Sequence, residues 1–384
     1  MRELRIAMIG QKGIPARYGG VETHVDAIAT RLAARGHEVW TFCRARFMPS
    51  KLDMEPPEGY RVIGGQHWYR GVHLAYRGSI NTKHMDAASH TFLCALESGL
   101  LHRFDIVHFH GIGPAAFAPV PKLFRRKVVS TFHALDWKQV KWSPLAKKLL
   151  RNGEARGARR SDGLITVSRI LQKYVSENYG ISAEYIPNGA NLPAGPPARG
   201  DIGRYGLRGG DYVLAVGRII RDRCLDRVIE AFRQVPGPLK LVIVGSETPR
   251  TAYSEQLQAR ADGRVIFTGD VFGKALQDLY ANCAVYVLAS VVEGLPITVC
   301  EAMAHGRPLL LSRIPENEEV GGDAAVYFNP NDVNELRDML QELLEDRILQ
   351  QRLSSIGVER ARTTYNWDRI AEDIEAYYLK IVGA

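Results

Sequence analysis

The chain predicts two tandem α/β domains, each a doubly wound, largely parallel sheet covered by helices, and three observations carry that prediction. Short apolar strand patterns alternate with amphipathic helical patterns from the start of the chain. A stretch with three prolines and two glycines, Asn191 to Gly200, breaks every periodic pattern near the middle, and the alternation restarts at Tyr212-Val-Leu-Ala-Val216. At 384 residues the length suits two domains. They are set at 1–192 and 193–365, with the final helix, 366–384, packing back on the first.

In the first half, strands are expected at Leu4–Ile9, His37–Cys43, Gly71–Tyr76, Ile106–His110, Lys127–Phe132, Gly163–Ser168 and Ala183–Pro187. Between the first two, the loop Gly10 to Gly20 leads into a helix with Val21, Val25, Ile28, Ala29 and Leu32 on one face, ended by Gly36. In the second half, strands are expected at Tyr212–Val216, Lys240–Val244, Arg264–Thr268, Ala284–Leu288 and Pro308–Ser312, and helices at 331–344, 347–364 and 367–382. Strand–helix alternation implies right-handed crossovers. Two such domains facing one another would bind a ligand between the carboxyl ends of their strands.

Hydrophobic residues make up 46% and charged residues 24%, the composition of a water-soluble globular protein. Fifty Lys and Arg against 42 Asp and Glu give a net charge of +8, which favours anionic partners such as nucleotide sugars, nucleic acid or membrane surfaces. Five cysteines, odd in number and without CxxC spacing, argue against a disulfide framework and a zinc site. No apolar run approaches the ~18 residues of a membrane span, and the amino terminus runs straight into a strand. The expected location is cytoplasmic, with peripheral contact at the inner face of the cell membrane.

The most informative stretch is Ser290 to Gly306, where Glu293 and Glu301 flank a helix start. Apolar Val285–Ala289 reads as a buried strand, the chain turns at Glu293-Gly294, and Pro296 fits the first helical turn. Amides of Leu295, Ile297, Thr298 and Val299 would lack intrahelical partners, and the helix dipole adds positive charge there, so a phosphate is favoured. Glu301, about one and a half turns on by the 3.6-residue repeat, could accept from paired hydroxyls such as those of ribose. The competing reading makes Glu293 a helix cap and Glu301 a solvated residue.

Gly10-Gln-Lys-Gly-Ile-Pro-Ala-Arg-Tyr-Gly-Gly20 occupies the phosphate-binding position of an open sheet but lacks both GxGxxG and P-loop spacing; Gly19 and Gly20 would let backbone approach a ligand closely. In Val216-Gly-Arg-Ile-Ile-Arg-Asp-Arg223, Arg218 and Arg223 could clamp a diphosphate, or be solvated loop arginines. Gly269-Asp-Val-Phe-Gly-Lys-Ala275 fails the P-loop test and is set aside.

Together these pieces resemble the retaining family 4 glycosyltransferases of the GT-B fold, two facing Rossmann-like domains, over nearly the whole chain. The matching residues are Gly19-Gly-Val-Glu22, Thr131-Phe-His133, Ile186-Pro-Asn-Gly189, Val216-Gly-Arg218 and, above all, Glu293-Gly-Leu-Pro with Glu301-Ala-Met-Ala-His-Gly306. The opening glycine-rich loop is similar to a bacterial subgroup associated with rhamnosyl and other exopolysaccharide transfers.

The resemblance implies a metal-independent hexosyl- or deoxyhexosyltransferase moving a sugar from a nucleoside-diphosphate sugar to a lipid-linked or saccharide acceptor, in cell-surface polysaccharide or glycolipid synthesis. The donor is a substrate, and no cofactor is implied. Glu301 would hold the ribose hydroxyls and Glu293 the sugar hydroxyls near the anomeric carbon. Backbone at Gly294, Leu295, Pro296, Ile297 and Thr298, with Arg218, would neutralise the diphosphate, and Gly20 would add an amide. The family places Lys where Arg223 stands and Gly where Cys224 stands, so charge is kept in a different shape. His133 matches the family's histidine that faces the transferred sugar, the alternative being a strand-end histidine bonded to backbone. His110 and Asn188 occupy similar strand ends. No Asp-x-Asp is present, consistent with a basic rather than a metal-based phosphate site.

Between Lys122 and Arg160 twelve Lys or Arg face only Asp136 and Glu154, with Trp137 and Trp142 interleaved. That suits an anionic membrane surface carrying a lipid-linked acceptor, or a solvated basic helix. Nucleic acid is not expected, since no recognised motif for it accompanies the charge. Two other functions share this layout: a GT-B-type sugar-nucleotide epimerase, and a non-catalytic two-domain sugar-binding protein.

Overall fold

The computed structural model describes residues 2–17, 19–49, 56–82, 85–139, 142–195, 200, 202–246 and 252–383. They fall into two compact units, Met1–Pro187 with Trp367–Ala384, and Asn188–Asn366. Part of the proline-rich linker, 196–199, lies outside the described residues, as do Tyr18 of the first loop and Lys141 of the basic stretch.

The first unit is built on strands β1 (Arg5–Ile9), β2 (Glu38–Arg44), β3 (Tyr60–Ile63), β4 (Gln66–Tyr69), β5 (Val72–Arg77), β6 (Ile106–His110), β7 (Lys127–Phe132), β8 (Gly163–Thr166) and β9 (Glu184–Tyr185). Their order in the sheet is β3-β4-β5-β2-β1-β6-β7-β8-β9. Pairing is parallel from β5 to β9 and antiparallel in β3–β4–β5. Residues Ile6 to Ile9 and Ile106 to Phe109 have no solvent exposure, as expected of central strands covered on both faces. The order reverses between β1 and β6. The loops after these strands therefore open where ligands bind in doubly wound sheets.

The hairpin β3–β4 is absent from the expectations above. Its turn, Gly64-Gly65, has both φ angles positive (55° and 77°), as a two-residue hairpin of this hand requires. Val62 and Ile63 are more than half exposed, so the strand lacks the inward apolar alternation that would mark it.

The terminal helix Trp367–Val382 belongs to the first unit. It buries Trp367, Ile370, Ile374 and Tyr378. Its polar groups are matched as well: the Tyr378 hydroxyl lies 2.5 Å from His108 Nδ1, the Tyr377 hydroxyl accepts from the Leu164 amide at 3.1 Å, and Glu375 meets Arg35 and, at 3.0 Å, His37.

The second unit contains β10 (Tyr212–Val216), β11 (Lys240–Val244), β12 (Val265–Gly269), β13 (Val285–Leu288), β14 (Leu309–Ser312) and β15 (Ala325–Phe328). Their order is β12-β11-β10-β13-β14-β15, all parallel. This is the mononucleotide-binding arrangement with its switch point between β10 and β13. β15 is a further strand the sequence reading omits; three of its four residues are only half-buried. The apolar core combines Val213, Ile229, Phe232, Val287, Leu336 and Leu340 beneath the sheet.

The chain enters the second unit at Asn188 rather than after residue 192. The Asn188 side-chain amide donates to Leu295 O at 2.8 Å and the Ala190 amide donates to Tyr365 O at 2.7 Å, tying 188–190 to that unit before the prolines begin.

Gly245, after β11, has φ +128°, and a Cβ there would collide with the Gly217 carbonyl oxygen at the end of β10. Gly245→Ala is expected to displace the Gly217–Arg218 peptide and to cost about 1–3 kcal/mol of stability. A denaturation midpoint unchanged from wild type would show that this contact is not tight.

Candidate active site

At the switch point of the second unit, the loop after β13 leads into the helix Ile297–Ala304. Pro296 stands one position earlier than expected, as the N-cap residue with φ −71° and ψ 109°. Leu295 is buried, and its carbonyl is taken by Asn188. The Val299 amide, expected to be open, donates to Pro296 O at 3.1 Å, because the first turn closes tightly. Among the described residues the amides of Ile297 and Thr298 meet no backbone acceptor, so the anion-binding end of this helix is narrower than the four amides anticipated. Thr298 is oriented by the Tyr286 hydroxyl, which donates to its Oγ1 at 2.7 Å.

Glu293 is neither a cap nor a solvated residue. Its side chain is 10% exposed, and Oε1 stands 2.7 Å from Arg223 Nη1. That contact is an ion pair off the hydrogen-bond line, so Oε1 has no aligned donor. The same Arg223 nitrogen reaches Ser290 Oγ at 3.4 Å. Arg223 therefore meets the carboxylate rather than standing free for a diphosphate. Its guanidinium also lies over Gly217, where a Cβ would come within 3.3 Å of Cζ. Arg218 is exposed on the same loop. Cys224 adopts φ 48° and ψ 40°, the left-handed conformation that glycine tolerates best, which accounts for the family's Gly at this position.

Glu301 sits in the second turn of the helix and accepts from the Tyr280 hydroxyl at 2.9 Å. Burial pushes its carboxyl up to about 7, with the Tyr280 hydrogen bond acting in the opposite sense. Tyr280 in turn stacks on His305, whose rings are 5.7 Å apart. Because hydroxyl donors favour the charged carboxylate, a ligand whose hydroxyls bind Glu301 must lower its pKa and release a proton near neutrality. Donor affinity is thus expected to rise with pH up to about 7 and then level off. The sign for stability is the reverse: with the folded value above the ordinary 4.5, the stabilising contribution is full below 4.5 and lost as pH rises through about 7. Titration calorimetry of donor binding at pH 6 in two buffers of different ionisation enthalpy checks this; no proton release would contradict it.

In the first unit, His133 follows directly on β7, His110 ends β6, and His24 lies on the helix Gly20–Ala34. His133 Nε2 and His110 Nδ1 are 3.4 Å apart, and the His24 ring lies 4.6 Å from that of His133 and 5.5 Å from that of His110. Burial, with mutual repulsion among the imidazoles, drives His110 and His133 well below the ordinary histidine range, so both are neutral at physiological pH. His133 is bonded to a neighbouring imidazole rather than to backbone. His24 is absent from the sequence analysis; its spacing with Val21, Val25 and Ile28 places it on the buried side of the helix, where a histidine reads as core. Gly19 caps this helix with φ +152°, Gly20 is its first residue, and Glu22 braces the glycine-rich loop by accepting from the Lys12 amide at 2.9 Å.

The basic stretch resolves into two kinds of residue. Lys122 pairs with Asp162 at 2.9 Å, and Arg126 donates to Gly99 O, so these serve the fold. Lys138, Lys147, Lys148 and Arg151 surround a concave surface walled by Trp137, and among the described residues none of the four meets a carboxylate. Arg151 lies over the Trp137 ring at 4.0 Å, and the Trp137 indole donates to Glu154 at 2.7 Å. Leu145 and Leu149, 68% and 62% exposed, lie one turn apart on the same helix, Pro144–Arg160.

Known proteins give this geometry a context. Residues 18–193 match the profile of Glycosyltransferase Family 4, and residues 210–346 that of Glycosyl transferases group 1. Together the two matches make the chain a glycosyltransferase, its first half similar to family 4. This glycosyltransferase is 28% identical to the phosphatidyl-myo-inositol mannosyltransferase of Mycobacterium leprae over 376 residues, 94% of this chain and 92% of that protein. It is 27% identical to a glycogen synthase of Mycobacterium tuberculosis over 98% of this chain and 94% of that one. Among solved structures, sucrose-phosphate synthase from Thermosynechococcus elongatus shares the fold with a TM-score of 0.82 at 20% identity, over the full length of both chains. Anabaena HepE in complex with UDP and glucose gives 0.76 at 17% identity, over 98% of this chain and all of that one. The glycosyltransferase is thus a sugar-transferring enzyme with two Rossmann-like α/β domains of the GT-B type. Among its described residues no helix is long and apolar enough to cross a membrane.

Proposed function

We propose that the enzyme is a retaining, metal-independent hexosyl- or deoxyhexosyltransferase that uses a nucleoside-diphosphate sugar and a lipid-linked or saccharide acceptor in cell-surface polysaccharide or glycolipid synthesis. The observation that carries this reading is Glu293: a buried carboxylate oxygen without an aligned donor, at the switch point of a mononucleotide-binding sheet, eight residues before a carboxylate held in place by Tyr280. Arg223 meets the charge of Oε1 at 2.7 Å but off the hydrogen-bond line, and a sugar hydroxyl can supply the aligned donor.

In this reading the second unit, Asn188–Asn366, binds the donor. Glu301 takes the ribose hydroxyls, and Glu293 the sugar hydroxyls near the anomeric carbon. Arg218 and the backbone from Gly294 to Thr298 offset the diphosphate charge, while Arg223 stays paired with Glu293. The first unit, Met1–Pro187 with Trp367–Ala384, serves the acceptor, with Gly19 and Gly20 lending close backbone approach and His133 contacting the transferred sugar. The acceptor oxygen bonds to the anomeric carbon as the carbon–oxygen bond to the diphosphate breaks, and the departing phosphate oxygen takes the acceptor proton on the same face. Names among the similar proteins agree with this donor class: HepE is described with UDP-glucose and starch synthase IV of Arabidopsis thaliana with ADP.

The cationic surface around Trp137, with Leu145 and Leu149 beside it, supports peripheral contact with an anionic membrane on the cytoplasmic side. Co-sedimentation with phosphatidylglycerol vesicles is expected and should weaken with salt; equal binding to purely zwitterionic vesicles would contradict it.

The function itself is tested by incubating the enzyme with a panel of nucleotide sugars, with and without polyprenyl-linked or oligosaccharide acceptors. Nucleoside diphosphate together with a new glycoside is the expected outcome. Epimerised donor would make it an epimerase, and binding without turnover a sugar-binding protein.

A further inference from the structure

The imidazoles of His24, His110 and His133 come from three different elements of one compact unit: a helix, the end of β6 and the residue after β7. One nitrogen from each can be chosen so that all three lie within 4.8 Å of one another. His110 Nδ1 and His133 Nε2 are already 3.4 Å apart, about the separation of two ligands on a tetrahedral zinc with metal–nitrogen bonds of ~2.0–2.1 Å. His24 and His110 are 0% and 1% exposed and His133 is 9% exposed, so the cluster is held rigidly and opens to solvent on the His133 side. A neutral imidazole presents a lone pair, and burial keeps His110 and His133 neutral.

We infer that His24, His110 and His133 form a binding site for one borderline-soft divalent transition metal ion, of which Zn2+ is the prime case, and that filling it inhibits the enzyme. Three imidazoles without a carboxylate select zinc, cobalt, nickel or copper over magnesium and calcium, which demand oxygen ligands. Three protein ligands leave a fourth position, on the His133 side, for a solvent oxygen. Inhibition follows because a metal on His133 consumes the lone pair and fixes the ring that the proposed reaction uses against the sugar. That second part rests on the glycosyltransferase site proposed above, whereas metal binding does not.

The chelator-treated, full-length protein is titrated with Zn2+ by calorimetry, and with Co2+ by visible absorption. One equivalent of Zn2+ and the intense visible bands of four-coordinate Co2+ are expected, with no heat from Mg2+ at equal concentration. His24→Gln and His110→Gln, each checked for an unchanged circular dichroism spectrum, should weaken Zn2+ by at least about tenfold, since the loss of even an outer-shell partner costs that much. Absence of a one-equivalent site in the wild-type protein, or undiminished binding in both variants, would overturn the site. Zn2+ should abolish transferase activity and chelator restore it. Full activity with one equivalent bound would overturn the inhibition while leaving the glycosyltransferase reading intact.

Discussion

Glu293→Gln is expected to lower kcat by about 10²–10³-fold, the effect of removing one charged or polar group aimed at the reacting centre. The substitution keeps the shape of the side chain and removes the charge, so the hold proposed for Glu293 on a sugar hydroxyl should weaken as positive character grows at the anomeric carbon. Arg223 keeps a polar neighbour, and the thermal midpoint should stay close to wild type. Glu293→Ala goes further: it leaves Arg223, whose side chain is 21% exposed, without its partner at 2.7 Å, so a loss of stability should accompany the loss of rate. Steady-state kinetics with saturating donor, alongside thermal melts of both variants, separates the two effects. A Glu293→Gln enzyme within threefold of wild type would remove Glu293 from the reaction.

His133→Ala carries the second large effect, a fall in kcat of about 10²–10⁴-fold, the range for a positioned imidazole. Burial and the facing histidines hold this ring neutral well below the ordinary range, so its loss should not remove a limb near pH 6.5 from the pH–rate profile. A limb near neutrality is expected from Glu301 instead, whose carboxyl burial raises to about 7. If His133→Ala abolished that limb, the assignment of the two groups would have to be exchanged. Assays of this variant belong in chelator, so that a metal on the neighbouring histidines does not obscure the result.

The sequence made the second unit's sheet legible because Val213, Leu214, Val242, Val285 and their neighbours form short apolar runs buried on both faces. It hid the hairpin at Tyr60–Tyr69, where exposed Val62 and Ile63 carry no inward face, and β15, where burial is partial. Within the site, residue types at fixed spacing led to Glu293, Glu301 and His133. They could not reveal that Arg223 points at Glu293, because that pairing joins the turn after β10 to the loop after β13, 70 residues later. The same holds for Tyr280 beneath Glu301 and for His24 beside His133. Each is brought in by packing of separate elements rather than by local pattern, and a histidine or tyrosine on an apolar helix face reads in sequence as core.

In the proposed reaction this chain breaks the bond between an anomeric carbon and a nucleoside diphosphate and makes a new glycosidic bond with the same anomeric configuration. A nucleotide sugar carrying carbon-13 at the anomeric position, followed by NMR in the presence of enzyme and acceptor, reads that bond directly. The labelled carbon should move from the donor signal to a glycoside signal of unchanged configuration, with one nucleoside diphosphate released per glycoside formed. Label that stays on the nucleotide as an epimer, or a glycoside of inverted configuration, would contradict the account.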